Sequence, residues 1–143
     1  MTDPIQTARN RFKQGFSCSQ SVFSAFALQF GIDEDLALKI ASPFGGGFAR
    51  QGEVCGAVTG ALMVIALRYG TITPEKKEEI YKISQEFMRC FESKHGSIIC
   101  RKLTGYNLRI PSQYKKANEV KVFEKKCPLL VEDAAAIVKS LIE

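Results

Sequence analysis

The sequence predicts an all-α fold, an irregular bundle of about six or seven helices around a buried central helix. Apolar residues recur at helical spacing along most of the chain, and no stretch of useful length alternates as a strand does. Capping residues and glycines separate the apolar runs. The chain has 143 residues and no linker composition, so we expect one domain over residues 1–143.

The first two helices have clear start signals. Asp3 can cap the first helix, with Pro4 suited to the first helical position and Gln6 spaced to reach back to the cap. Ser17 opens the second helix, and Gln20 stands three residues later as its capping-box partner. The chain therefore folds locally into two short amphipathic helices before residue 31.

The middle of the chain contains a glycine-rich loop and the central helix. A short helix over residues 33–41 precedes the loop and should turn four side chains inward: Leu36, Ala37, Ile40 and Ala41. Pro43 prevents its continuation, and residues 44–52 hold the glycines. Residues 53–69 follow and are apolar on nearly every side, which is typical of a helix buried at the centre of a domain.

The second half predicts three more helices. A fifth helix starts at Pro74, and its apolar stripe is Ile80, Ile83, Phe87 and Phe91. A short sixth helix is expected from Ser97 to about Leu103, and a weakly helical stretch follows Ser112. The last helix is expected to begin at Pro128, with its apolar face running to the end of the chain.

Composition narrows the classes of function. The 20 Lys and Arg against 15 Asp and Glu give a net charge of +5, a mild excess that does not require nucleic acid, and we expect no nucleic-acid partner. The single histidine removes zinc sites that need two histidines. The longest uncharged apolar run, residues 54–67, is 14 residues, too short to span a bilayer. No basic and apolar leader is visible, so we expect a cytoplasmic protein without a membrane span.

The cysteines carry the functional signal. Of five, four stand at predicted helix N-termini: Cys18, Cys55, Cys100 and Cys127. Free N–H groups and the helix dipole favour an anion there, and a thiolate is the form that attacks disulfides and binds metals. The sequence therefore predicts lowered pKa values at these thiols. Cys90 lies late in the fifth helix beside Phe91, and we interpret it as a small, buried packing residue.

A family resemblance points to the same cysteines. The run Phe44-Gly45-Gly46-Gly47, followed by Cys55-Gly56-Ala57-Val58-Thr59-Gly60, resembles the signature of a small family described as redox-active. That family is defined by one early cysteine, one in the Cys-Gly-Ala-x-x-Gly motif and two late ones. Cys18, Cys55, Cys100 and Cys127 match this order, whereas Cys90 has no place in it. The resemblance covers nearly the whole chain, weakens over residues 106–126, and implies redox chemistry at the four cysteines.

Three functions remain open at this stage. In the first, two or more of the four cysteines cycle between dithiol and disulfide with an unknown redox partner or a small thiol or disulfide substrate. Cys55 is expected to take part because its flanking glycines give access, and its partner is not assignable. In the second, the four thiolates bind zinc or an iron–sulfur cluster, although spacings of 37, 45 and 27 residues lack the usual short ligand pair. In the third, the chain is a non-enzymatic helical binding module, and a homo-oligomer is open in each case.

Other conspicuous residues have structural interpretations. Gly56 and Gly60 are expected to let a neighbouring helix approach closely. Nucleotide binding is disfavoured because Glu53 stands where a phosphate-binding loop requires lysine. Arg50 is expected to be an exposed loop residue, with stabilisation of a Cys55 thiolate as the alternative. His95 is expected to be solvated or to cap a helix C-terminus.

Overall fold

The computed structural model describes residues 3–143, and their fold is all-α. Within them, eight helices have five or more residues, and the only strand-like pairing is an isolated antiparallel bridge between Val54 and Ile99. The helices are α1 Pro4–Lys13, α2 Cys18–Ala27, α3 Glu34–Ala41, α4 Gly56–Tyr69, α5 Lys77–His95, α6 Cys100–Thr104, α7 Pro111–Glu119 and α8 Val122–Ile142. The predicted fold class is confirmed.

Helix α4 is the buried centre of the bundle, as predicted. It packs against α2, α5 and α8, and its core side chains are fully buried: Ala57, Val58, Ala61, Val64 and Ile65. No single helix among residues 3–143 combines the length and apolar composition of a membrane span. Residues 56–69 and 74–95 reach that composition only as a pair, which is bent by 117°.

Glycines allow α2 and α4 to approach each other closely. A Cβ atom at Gly60 would lie 2.7 Å from the carbonyl oxygen of Ser19, and one at Gly56 would lie 3.2 Å from Cβ of Cys18. The space that side chains would need is already occupied, so the predicted packing role of both glycines is confirmed. Ser19 is fully buried at this contact, and its hydroxyl donates a hydrogen bond to the Ala41 carbonyl at 2.8 Å.

Most of the predicted start signals of α1 and α2 are confirmed. The Asp3 side chain accepts a backbone N–H at the start of α1, and Ser17 forms the expected capping box with Gln20. The expected return of Gln6 to the first cap is wrong. Its amide instead donates to Asn10 Oδ1 at 3.1 Å, because residues four apart on a helix face each other.

Helix α3 is less buried than its pattern predicted. Ala37 and Ala41 are fully buried, but Leu36 and Ile40 are each 47% exposed, so their predicted inward position is wrong. The helix packs mainly on α2, and its carbonyls at Leu38 and Ala41 accept hydrogen bonds from α2 side chains. The two larger residues therefore flank the contact instead of filling it.

The last helix begins earlier than predicted. Helix α8 starts at Val122 and continues through Pro128, which lies in its interior. Proline has no N–H for the carbonyl of Glu124 and usually disrupts a helix at this point. Here the buried apolar face that begins at Val122 extends across the proline, and burial outweighs the one lost hydrogen bond. Cys127 therefore lies inside a helix and not at its N-terminus, which corrects the prediction.

Candidate functional site

The four predicted cysteines come together at one cavity of about 950 Å³. Each thiol that lines it is almost entirely buried, with exposures of 9%, 3%, 7% and 6% for Cys18, Cys55, Cys100 and Cys127. Cys90 does not line the cavity. It is exposed on α5, so its interpretation as a buried packing residue is wrong.

Two of the thiols come from the contact between α2 and α4. Cys18 is the first residue of α2, directly after the Ser17 cap. Cys55 occupies the N-cap position of α4, and its backbone N–H donates to the Ile98 carbonyl at 2.7 Å. The close approach permitted by Gly56 brings these helix starts together at one wall of the cavity.

The third thiol is held by the glycine-rich loop. Cys100 is the first residue of α6, and its N–H donates to the Glu53 carbonyl at 2.6 Å. Ile99 and not Ser97 is the N-cap, although the Ser97 hydroxyl accepts the Ile99 N–H at 3.0 Å. Gly47 packs directly on Cys100, since a Cβ at Gly47 would lie 2.7 Å from that of Cys100.

Burial, and not the helix dipole, decides the ionisation of two thiols. Burial raises the pKa of Cys55 to about 12, while the N–H groups of Ala57 and Val58 near its sulfur partly offset the rise without forming a cap hydrogen bond. Burial also raises the pKa of Cys100 to about 11, and the neighbouring Cys127 adds to the rise. The predicted lowering of the pKa at these two helix starts is therefore wrong. The free-energy cost of desolvating a thiolate exceeds the stabilisation that a helix N-terminus provides.

Cys18 and Cys127 form the pair with opposite shifts. A hydrogen-bonding interaction from the Cys18 thiol lowers the pKa of Cys127 below its usual value, against the opposing effects of burial and Glu124. The same interaction, together with burial, raises the pKa of Cys18 well above its usual value. Cys127 is thus the only cavity thiol with a lowered pKa, although it is the one that is not at a helix start.

The sulfurs are neighbours but are neither bonded nor arranged around a metal. All five cysteines are free thiols. Among residues 3–143, no three His, Cys, Asp or Glu side chains converge in a way that would hold a metal ion. The cavity cysteines are therefore separate thiols in this structure.

A family model with the description "Putative redox-active protein (C_GCAxxG_C_C)" matches residues 16–141. The chain belongs to this family. Comparisons with curated proteins and with solved structures found no match. The cavity cysteines follow the order of the family pattern, with one departure in its central motif. The family's name prints Gly-Cys-Ala, whereas this member reads Cys55-Gly56-Ala57. The Cys-Gly-Ala-x-x-Gly order is therefore that of this chain, and its attribution to the family was wrong.

In this member of the C_GCAxxG_C_C family, the glycine-rich loop forms an unusual left-handed turn beside the cysteines. Five consecutive residues have positive φ angles of 67°, 67°, 66°, 53° and 65°: Gly46, Gly47, Phe48, Ala49 and Arg50. The left-handed conformation costs about 1–2 kcal/mol for each residue with a Cβ atom. The sequence indicated a tight loop here but gave no sign that three side-chain-bearing residues would adopt this conformation.

The remaining candidates lie differently around the cavity of this family member. Arg50 is exposed, as predicted, and is not among the groups that shift the pKa of Cys55. Its guanidinium lies 4.7 Å from the ring centroid of Tyr114, a cavity residue that the sequence did not single out. His95 is only 11% exposed, so its interpretation as solvated is wrong. Its Nε2 lies 2.9 Å from Asp133 Oδ2, off the line of a good hydrogen bond, and it does not line the cavity.

Proposed function

We propose that the cavity carries out thiol–disulfide exchange, with Cys18 and Cys127 as the exchanging pair. The observation that carries this proposal is the meeting of four thiols, from four separate segments of the chain, at one cavity. Membership of a family described as redox-active supports the same chemistry. Cys55 was the expected participant, but its pKa of about 12 makes it a poor first nucleophile at neutral pH.

In the proposed cycle, the Cys127 thiolate attacks one sulfur of a substrate disulfide. A mixed disulfide forms, and the other substrate sulfur leaves as a thiolate that takes up a proton. Cys18 then loses its proton and attacks the Cys127 sulfur, which releases the second substrate thiol and closes a disulfide between Cys18 and Cys127. The protein loses two electrons and the substrate disulfide gains them. A reducing dithiol returns the protein to its starting state by the reverse steps.

The experiment counts the free thiols of the intact protein at a series of defined redox potentials. Anaerobic protein is equilibrated with mixtures of reduced and oxidised dithiothreitol, quenched with an alkylating reagent and weighed by mass spectrometry, native and denatured. We expect a loss of two alkylatable thiols together at one poise, with Cys18 and Cys127 joined in the peptide map. Cys90→Ser serves as the matched control and should retain the transition.

Several outcomes would overturn this proposal. If all thiols stay reduced at every poise until the protein is denatured, the exchange chemistry is wrong. A native mass increased by zinc or by an iron–sulfur cluster, and lost with Cys→Ser changes at the cavity, would support a metal site instead. If serine at each cavity position costs only ordinary core stability and alters no redox property, the chain is a binding module.

A further inference from the structure

The left-handed turn ends at the one charged residue that it carries. Arg50 has a φ of +65° and follows Phe48 and Ala49, which are strained in the same way. Backbone strain of this kind persists only where the surrounding structure imposes it, and it clusters at functional sites. The turn is held by hydrogen bonds that return to its own glycines, including Glu53 N–H to the Gly47 carbonyl at 3.0 Å. These hydrogen bonds hold the turn in its left-handed conformation and therefore fix the direction in which the Arg50 side chain leaves the backbone.

The Arg50 side chain is positioned at the cavity that holds the thiols. Its guanidinium is held over the face of Tyr114, and both residues line the cavity. Lys13 is a second cation in the lining, and Glu124 is the one carboxylate there. A cation stacked on an aromatic ring keeps its N–H donors free at the edge, where they can meet an anion.

The shape of the site favours a small molecule over a protein disulfide. The four thiols are less than 10% exposed and lie within the cavity, so a disulfide on a protein surface cannot reach them without a change in conformation. The cavity volume of about 950 Å³ is within the ~300–1,000 Å³ of small-molecule sites. Most of its larger lining side chains are apolar: Phe12, Phe16, Leu103, Leu108, Phe123 and Leu130.

From these observations we infer that Arg50 binds the anionic group of a small disulfide substrate, and that the substrate class is a low-molecular-weight disulfide carrying a carboxylate. This inference rests on the proposed function, and the electron balance of the exchange is unchanged. The substrate disulfide accepts two electrons and becomes two thiols, while the protein dithiol becomes a disulfide. The Arg50 contact holds the carboxylate and takes no part in the bond changes, so Arg50 is a binding residue and not a catalytic one.

The test compares three probes of similar length and different charge. They are 3,3′-dithiodipropionate, with two carboxylates, the neutral 2-hydroxyethyl disulfide and the dicationic cystamine. Oxidation of the reduced protein is followed by alkylation and mass spectrometry, and second-order rates are compared. We expect the ratio of the dipropionate rate to the neutral rate to fall about fivefold in Arg50→Gln and to be largely restored in Arg50→Lys.

A matched control removes the general effect of losing a charge. Arg68 lies 4.7 Å from the ring centroid of Tyr69 in the same stacked arrangement, but neither residue lines the cavity. Arg68→Gln should leave the rate ratio unchanged. The unmodified protein gives a readout independent of folding in the variants. Its preference for the dianion should decline as salt is raised from ~0.01 to ~0.5 M, because screening weakens exposed ion pairs.

Two failures can be told apart. In the first, all three disulfides oxidise the protein at rates that follow only their intrinsic reactivity, salt has no effect, and the ratio of the dipropionate rate to the neutral rate is the same in Arg50→Gln and Arg68→Gln. The assignment of Arg50 is then overturned, and the proposed exchange chemistry stands. If no disulfide oxidises the cavity thiols at any concentration, the proposed function fails and this inference fails with it.

Discussion

The thiols of Cys18 and Cys127, one at the start of α2 and the other inside α8, shift each other's pKa in opposite directions. The two residues are far apart in the chain, and the contacts of α1 and α4 with both helices bring them together. Such an arrangement makes Cys127 the first of the two thiols to ionise, which is the order that the proposed exchange uses. A pair that closes a disulfide in two steps needs one thiol to attack first and the other to follow.

Removing the hydrogen bond donor beside Cys127 should raise its pKa. In a Cys90→Ser background, we expect the pH midpoint of the fastest alkylation to move upward in Cys18→Ala and much less in Cys18→Ser, because a serine hydroxyl still donates. The measurement is the rate of iodoacetamide modification against pH, with the modified residue identified by peptide mapping. A midpoint that is the same in both variants would contradict the assigned interaction.

The fold should lose stability in alkaline solution because of Cys100. Its folded pKa of about 11 lies above the unfolded value near 9, so the thiol adds stability below pH 9 that is lost as the pH rises to about 11. Between these values the free energy of unfolding should fall by about 1.4 kcal/mol per pH unit from this group. Urea unfolding under reducing conditions measures the slope, which should be shallower in Cys100→Ser.

Cys90→Ser is the control for this slope, since Cys90 is exposed and lies outside the cavity. Its stability curve should follow that of the unmodified protein across the alkaline range. Equal slopes in Cys100→Ser and the unmodified protein would show that Cys100 does not ionise on unfolding as assigned.

Periodicity and capping predicted most of this fold because both signals are local. The Ser17 and Gln20 capping box is satisfied by residues within one turn, so no tertiary contact is needed to recognise it. The start of α8 was predicted too late because Pro128 suits a first helical position, whereas burial of the apolar face extends the helix across the proline from Val122. The exposure of Leu36 depends on how α3 docks on α2, and docking is not encoded in the pattern of one helix.

The gathering of the four cysteines could be predicted, but their chemistry could not. Their common position near helix starts indicated one site, and three of the four do lie at helix starts: Cys18, Cys55 and Cys100. The pKa of each depends on burial and on the neighbouring thiol, which are properties of the packed cavity. The pair of opposite shifts at Cys18 and Cys127 is such a property, and so is the strained position of Arg50.

Relieving strain in the left-handed turn should stabilise the protein. Ala49 has a φ of +53° and ψ of 48°, a conformation that costs alanine about 1–2 kcal/mol and glycine almost nothing. After the extra chain entropy of glycine is subtracted, we expect Ala49→Gly to raise the free energy of unfolding by about 0.5–1 kcal/mol. The same change at Ala25, inside α2, should lower it by about 1 kcal/mol. Urea unfolding measures both changes. A lower free energy of unfolding in Ala49→Gly would contradict the assignment of backbone strain to Ala49.

A side chain at Gly47 should disrupt the wall of the cavity beside Cys100. Gly47 has a φ of +67°, and an added Cβ would lie 2.6 Å from the Glu53 nitrogen and 2.7 Å from Cβ of Cys100. Neither atom can move freely, because the Cys100 N–H is bonded to the Glu53 carbonyl at 2.6 Å. We expect Gly47→Ala to cost about 3 kcal/mol or more, combining left-handed strain with overpacking.

Gly105→Ala separates these two contributions. Gly105 has a similar φ of +82°, but an added Cβ there would meet no atom within 4 Å. That variant should lose only the ~1–2 kcal/mol of backbone strain. In Gly47→Ala protein that remains folded, Cys100 should also alkylate faster, because the wall that buries its thiol has been displaced. Equal losses of unfolding free energy in the two variants, with Cys100 still protected, would mean that the glycine loop does not seal the cavity.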